Sequence, residues 1–399
     1  MTRLEKTLVG VVIVLWSGLM FGGGLLASTF LPAMLPAARA AGSHDLLDEA
    51  WRRVEENFVS TVPSDTVRDY GAIRGALETL NDRFTTFSEP QTRSIERDHM
   101  RGQFGGIGVS FDRNDKGEIV LTPRVDGPAA KAGIQQGDIL ISIEGVPLSK
   151  EDPLNDMMRV RGEPGTQVTI EVQRGEQVLP FTITRAIIAV SSVESRIITT
   201  TVDGKDAFVG YLSINSFTER TGKEVQDAIK ALNSGNVEGY LIDLRDNGGG
   251  LLSAAVDVTS QFVGEGAVAY EKKRDGSEIA FNVKAGLAEG TQGKPVAVLI
   301  NNNSASASEI VAGAIQDYKR GPLVGEKSYG KGSVQLVFEL RDGSAVRVTT
   351  ARWFTPNKRA LDGIGLTPDV PAAGDEAEQL QAGVDALREA LEEKAQAAK

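Results

Sequence analysis

"VAVLINNNSASASEIVAGAIQDY", residues 296–318, opens on five unbroken apolar residues, Val296 to Ile300. That is the length and composition of a strand buried on both faces. The apolar spacing then changes to threes and fours, with Ile310, Val311, Ala314 and Ile315, which predicts a helix. Between the two lie three serines on alternate positions, Ser304, Ser306 and Ser308. The same order, apolar run, small-residue loop, helix, occurs upstream. "FVGYLSI" (208–214) precedes "TGKEVQDAIKALNS" (221–234), and "GYLIDLR" (239–245) precedes Gly248-Gly249-Gly250 and "LSAAVDVTSQFV" (252–263). Strand-helix alternation predicts an α/β core with a largely parallel sheet over residues 191–370. Two further strands, "SVQLVFEL" (333–340) and "AVRVTTARWF" (345–354), flank a turn at 341–344.

Outward from this core the character changes. Residues 99–190 show short alternating runs between Gly, Pro and Asp, as in a small β-rich domain, with a short helix in "GPAAKAG" capped by Gly133. Residues 43–98 read as a helical segment. "LLDEAWRRVEENFV" puts Leu47, Trp51, Val54 and Phe58 on one face, and Ile73, Leu77 and Leu80 repeat the pattern. These are expected to be packing helices without chemistry. Residues 371–399 read as a charged amphipathic helical tail. Residues 1–42 begin with Arg3 and Lys6, and then no residue is charged from Thr7 to Ala38. A membrane span needs about 20 apolar residues, and Ala38-Arg39-Ala40 has the form of a signal cleavage site. Either a cleaved signal peptide or a retained anchor exports the rest of the chain, to the periplasm or the outer face of the cell membrane.

Composition narrows the chemistry. A net charge of −11 argues against nucleic-acid binding, and the lack of cysteine removes disulfides, thiolate metal sites and cysteine nucleophiles. Each strand-to-helix loop offers backbone N–H groups at a helix N-terminus, where a developing oxyanion can be stabilised. Ser306-x-x-Glu309 also has the capping-box pattern, so structural capping is the competing reading. The histidines, His44 and His99, both fall outside the α/β core. Unless one of them approaches from outside the core, a base other than histidine is needed, and a lysine whose pKa is lowered by burial can do the same work. Lys331 in "SYGKGSVQ" is the candidate, with a glycine on each side. Gln335, four residues on, lies on the same side of an extended chain and is placed to orient the amine. These residues leave the choice among the three serines open.

"VLINNNSASASEIVAGAIQDYKRGPLVGEKSYGKGSVQ", with "GYLIDLRDNGGGLLSAAV" and "ARWFTPNKRALDGIGLTPDV", resembles the carboxyl-terminal processing peptidases, over roughly residues 45–370. The resemblance implies a Clp-protease/crotonase-like α/β core carrying an inserted β-rich PDZ domain. It implies Ser306 as nucleophile, Lys331 as base and Gln335 as its assistant. It places the oxyanion hole at the Ala307 N–H and that of Gly248 or Gly249. "FGGIGVSF" is similar to a PDZ carboxylate-binding loop, implicating Gly106, Ile107, Gly108 and Val109 in peptide binding. Arg161, in "RVRGEPGT", is similarly a candidate contact to the core. Many relatives read Leu-Asp-Pro-His-Ser where this chain has "LNDRFTTF" (80–87), a departure expected to have little bearing on catalysis. The function so implied is an exported, ATP-independent serine endopeptidase acting near protein C-termini, with the PDZ domain recognising the substrate end or gating the enzyme. The alternative is a catalytically inactive PDZ scaffold. No metal or cofactor is implied. The expected partners are protein or peptide substrates with free C-termini, the membrane if the N-terminal segment is uncleaved, and other copies of the chain in a homo-oligomer.

Overall fold

Strand-helix alternation does build a parallel sheet in the computed structural model, which describes residues 45–149 and 153–397. The expected leader, 1–42, and His44 lie outside the described residues. Among the described residues no helix is long and apolar enough to cross a membrane.

The chain divides into two units between Ala72 and Ile73. The first holds helix α1 (Asp45–Asn57) and the start of α2 (Asp65–Glu78). There Arg68 pairs with Glu55 and Asp65 and lies 5.1 Å from the centre of the Trp51 ring. Leu47, Val54 and Phe58 are exposed, so their stripe is not the packed face that its spacing predicts.

In the second unit the chain leaves α2 and forms a strand, β1 (Thr86–Ser88), before α3 (Pro90–Arg101). Residues 43–98 are therefore not wholly helical. Next, β2 (Gln103–Gly106) leads into the β-rich domain, and β9 (Ala186–Ala189) leads out, the two pairing antiparallel as a stalk. Between them run β3 (Val109–Arg113), β4 (Ile119–Pro123), α4 (Pro128–Ala132), β5 (Asp138–Ile143), β6 (Val146–Pro147), α5 (Pro153–Val160), β7 (Gln167–Arg174) and β8 (Gln177–Thr184). The sheet order is β3-β4-β5-β7-β8, with β6 on β5. Alternation sets its buried face: Val168, Ile170 and Val172 of β7 join Leu121, Leu140 and Ile143 in a core of the domain's own. Gly133 ends α4 with φ 101°, as expected.

The remaining elements are β10 (Val193–Val202), β11 (Lys205–Ile214), α6 (Thr221–Ser234), β12 (Gly239–Asp243), α7 (Leu252–Ser260), β13 (Ala267–Lys273), β14 (Glu278–Asn282), β15 (Val296–Ile300), α8 (Ala307–Asp317), β16 (Leu323–Gly325), β17 (Ser333–Glu339), β18 (Ala345–Phe354), β19 (Val370–Pro371) and α9 (Glu376–Ala397). The main sheet has the order β10-β11-β12-β15-β16-β19 and is parallel from β11 onward. Both faces are covered, which is why β15 reads as a continuous apolar run and β12 is apolar up to Asp243. Tyr240 and Ile242 face one core with Val225 of α6, Ala255 of α7 and Val311 of α8. Leu241 and Leu299 face another with Val384, Leu387 and Leu391 of α9. A second, antiparallel sheet places β18 between β17 on one edge and β1 and β13 on the other, with β14 beyond β13. Asp243, the last residue of β12, pairs with Leu299, the last but one of β15. The glycine loop and the serine loop therefore emerge together from the carboxyl ends of adjacent parallel strands, where α/β sheets place their sites.

Candidate active site

The three serines part company here. Ser304 is fully buried; its Oγ donates to the Leu244 carbonyl at 2.8 Å and accepts from the Asn301 N–H at 2.9 Å. Ser308 is fully buried too and donates to the Asn247 carbonyl at 2.8 Å. Their hydroxyls fasten the serine loop to the glycine loop. Ser306 alone borders the cavity between them. It is the N-cap of α8 and sits at φ 56°, ψ −114°, on the left-handed side that side chains rarely adopt. Such a conformation costs roughly 1–3 kcal/mol and persists only where the surroundings impose it.

What imposes it is visible on both sides. Asn247, fully buried, accepts the Gly249 N–H on Oδ1 at 2.8 Å and donates to the Ile214 carbonyl at 2.6 Å. Gly249 packs so close that a Cβ there would lie 2.7 Å from the Ala305 oxygen and 2.8 Å from Ser306 Cβ. Gly248 has open space around it. Among the described residues, the N–H groups of Gly248 and Ala307 have no acceptor, whereas that of Gly249 is taken by Asn247.

The capping box forms, and its glutamate does more than cap. Glu309 is fully buried in spite of its charge type, and its carboxyl accepts four hydrogen bonds. Oε2 takes the Ser306 and Lys331 N–H groups, both at 2.9 Å. Oε1 takes Ser328 Oγ at 2.6 Å and the Gly330 N–H at 2.7 Å. One side chain thus holds the backbones of both dyad candidates, a role that its sequence position shows only as a cap.

Lys331 reaches this place because its neighbours lack side chains. A Cβ on Gly332 would lie 2.1 Å from the Asp362 nitrogen, and one on Gly330 3.0 Å from the Gly365 nitrogen. The amine is half-buried and lies 5.0 Å from the centre of the Phe84 ring. Burial pushes its pKa below the ordinary lysine value; repulsion from Arg347 and Arg83 adds to this, and Glu309 opposes it. The segment "LNDRFTTF" accordingly does bear on the site, contrary to expectation: Phe84 walls the amine.

Two further expectations change. Gln335 borders the same cavity, but its amide donates to Ser333 Oγ at 2.8 Å and to Thr349 Oγ1 at 3.4 Å rather than serving Lys331. A bulge between Val334 and Gln335 shifts the register that the spacing argument assumed. His99, placed outside the core by its sequence position, stands on the cavity rim because α3 crosses it. No hydrogen bond links Ser306 and Lys331 among the described residues. In the β-rich domain, Ile107 is buried in the core, and Gly108 takes φ 73°. The Ile107 and Gly108 carbonyls accept Ala129 and Arg124 N–H groups, while their own N–H groups have no acceptor among the described residues. Gly106 closes β2 and Val109 opens β3 on either side of this turn. Arg161 stacks on Phe104 at 4.1 Å, within the stalk region rather than on the core.

Residues 208–372 match peptidase family S41, and residues 105–184 match the PDZ domain. A carboxy-terminal-processing protease of Bartonella bacilliformis is 37% identical over 328 residues, 81% of this chain and 73% of that protein. The chain belongs to peptidase family S41. The carboxyl-terminal-processing protease of Synechocystis is 33% identical, over 80% of this chain and 74% of its own. A solved photosystem II D1 C-terminal processing protease is 30% identical, with a TM-score of 0.50 over 87% of this chain and 99% of that one. This S41 chain is a serine peptidase of the carboxyl-terminal processing type with a PDZ domain inserted on the β2–β9 stalk.

Proposed function

We propose that this peptidase is exported, needs no ATP, and cuts proteins near their C-termini with Ser306 as nucleophile and Lys331 as base. The observation that carries the reading is that Ser306, alone of the three serines, faces the cavity that a half-buried lysine also borders. Neutral Lys331 accepts the Ser306 hydroxyl proton as Oγ bonds to the substrate carbonyl carbon. The Ala307 and Gly248 N–H groups hold the oxyanion; Gly249 is the weaker candidate because Asn247 takes its N–H. The C–N bond then breaks and Lys331 returns its proton to the leaving amine. Water attacks the acyl-enzyme, with Lys331 taking its proton and passing one back to Ser306 Oγ. For Gln335 to orient the amine, its amide must turn from Ser333 toward Lys331.

Free N–H groups at Ile107 and Gly108 support carboxylate capture by the PDZ loop, Gly106 to Val109. The uncharged run from Thr7 to Ala38 supports export. The test of the dyad is peptide hydrolysis by Ser306→Ala and Lys331→Ala. Each is expected to lose at least about a thousandfold in kcat with melting retained. Cleavage persisting in either folded variant would remove that residue from its role.

A further inference from the structure

In a chain of net charge −11, the cleft is cationic. Its cavity, about 790 Å³, is bordered by Arg93, Arg97, Arg101, Arg347 and Lys331 but by two carboxylates alone, Glu219 and Glu271. The carboxylates that partner the arginines, Glu96 and Glu339, are not part of the cavity lining. Glu96 lies 3.2 Å from Arg347 and 3.8 Å from Arg93; Glu339 lies 3.3 Å from Arg93 and 4.0 Å from Arg97. Three guanidinium groups thus share two carboxylates, and the contacts are long for charge-assisted bonds. Arg93 Nε is buried with no hydrogen-bond partner. A buried donor of this kind is costly unless something else satisfies it. Arg347 stands near enough to Lys331 to repel its proton, so the cluster is adjacent to the proposed chemistry.

We propose that Arg93, Arg97 and Arg347 form a carboxylate-binding subsite of the cleft that engages the substrate's leaving segment. The proposal rests on the reading of Ser306 and Lys331 as the reacting pair. A peptide offers anions of one chemistry from two sources, its terminal carboxylate and its Asp or Glu side chains. Planar guanidinium groups match that geometry. Glu96 and Glu339 contact the arginines from outside the cavity lining and leave their donors only partly satisfied.

The test uses the full-length protein and three peptides of one sequence: a free acid, its amide, and the amide with one glutamate downstream of the cut bond. Arg97→Gln is the main variant. Arg97 is half-exposed, its contact to Glu339 is long, and it is not among the groups that shift Lys331. Arg93→Lys, which keeps a charge while removing Nε, is the second. Wild type is expected to cleave at least one carboxylate-bearing peptide roughly tenfold better in kcat/KM than the neutral amide, as one charge-assisted hydrogen bond allows. Whichever carboxylate raises the rate names the source. That ratio should collapse toward one in Arg97→Gln, chiefly through KM, and should shrink with added salt. A ratio that survives intact in both folded arginine variants overturns the subsite and leaves selectivity to the PDZ loop. No preference for either carboxylate in wild type overturns it as well. Ser306→Ala is run alongside: if it still cleaves, the reading of the cleft fails, whereas a dead Ser306→Ala with unchanged arginine variants sinks the subsite alone.

Discussion

Lys331 is the residue on which solution behaviour turns. In the proposed dyad its neutral form is the base, and burial, with Arg347 and Arg83, holds its pKa below the ordinary 10.5. Activity should therefore be lost as pH falls through that lowered pKa and hold above it, a limb read in kcat/KM on a peptide without titrating groups. Phe84→Ala would admit water to the amine, so this limb should move to higher pH; an unmoved limb would deny Phe84 its part. The same shift has a sign for stability. The folded chain gives up a proton that the unfolded chain keeps, so stability rises with pH between the folded pKa and 10.5, and the full penalty stands below the folded pKa. Lys331→Met should then melt higher than wild type at neutral pH while being inactive, which thermal melts at two pH values would check. Glu309 is the other sensitive residue. A glutamine there replaces one accepting oxygen by an NH₂ that faces two donors, and each unsatisfied buried group costs about 1–3 kcal/mol. Glu309→Gln should lower both kcat and the melting temperature. The glycines separate likewise: Gly249→Ala collides with Ser306 and should abolish activity, whereas Gly248→Ala enters open space, keeps its N–H and should be well tolerated.

At the scale of elements, the site is made by two strand ends and closed by a helix from elsewhere in the chain. Ser306 and the glycine loop follow from β15 and β12, whose pairing brings Asp243 beside Leu299. Helix α3 comes from a segment more than two hundred residues before Ser306 and supplies Arg93, Arg97 and His99 to the cavity border. A rim histidine invites the role of base, and the burial of Lys331 argues against it. His99→Ala should retain at least about half of wild-type kcat/KM. A loss comparable to that of Ser306→Ala, in folded protein, would transfer the proton chemistry to the helix.

For the molecule as a whole, the stalk is the feature that matters. The PDZ domain has its own core and joins the peptidase through β2 and β9. The base of that stalk touches the core: the Glu219 N–H donates to the Met100 carbonyl at 2.9 Å, and Gly102 lies against Thr218. A peptide ending in a free carboxylate should bind the full-length Ser306→Ala protein more tightly than its amide, by roughly tenfold. Replacing Gly108, whose φ of 73° disfavours a side chain, by valine should reduce that difference. Equal affinities for acid and amide, measured by calorimetry, would count against carboxylate capture by the loop.

The alternation of β11, β12 and β15 with α6, α7 and α8, the β-rich domain and the loop that carries the serines were legible in the sequence, whereas β1, β13 and β14 were not. Local patterns determine them: β15 is an unbroken apolar run, and β12 is apolar up to Asp243, because both their faces are covered, and β7 alternates because one face is. The flanking glycines of Lys331 likewise announced a close backbone approach, and Gly332 against Asp362 is that approach. Tertiary structure decided what no local pattern encodes. Spacing treats Ser304, Ser306 and Ser308 alike; long-range bonds to Leu244 and Asn247 occupy two of them. Capping grammar marks Glu309 as a helix residue, and its hold on Lys331 depends on a loop twenty-two residues away. Phe84 and the arginines of α3 lie in a stretch that reads as plain packing helix, because a side chain's neighbours across a cleft leave no periodic trace in its own segment.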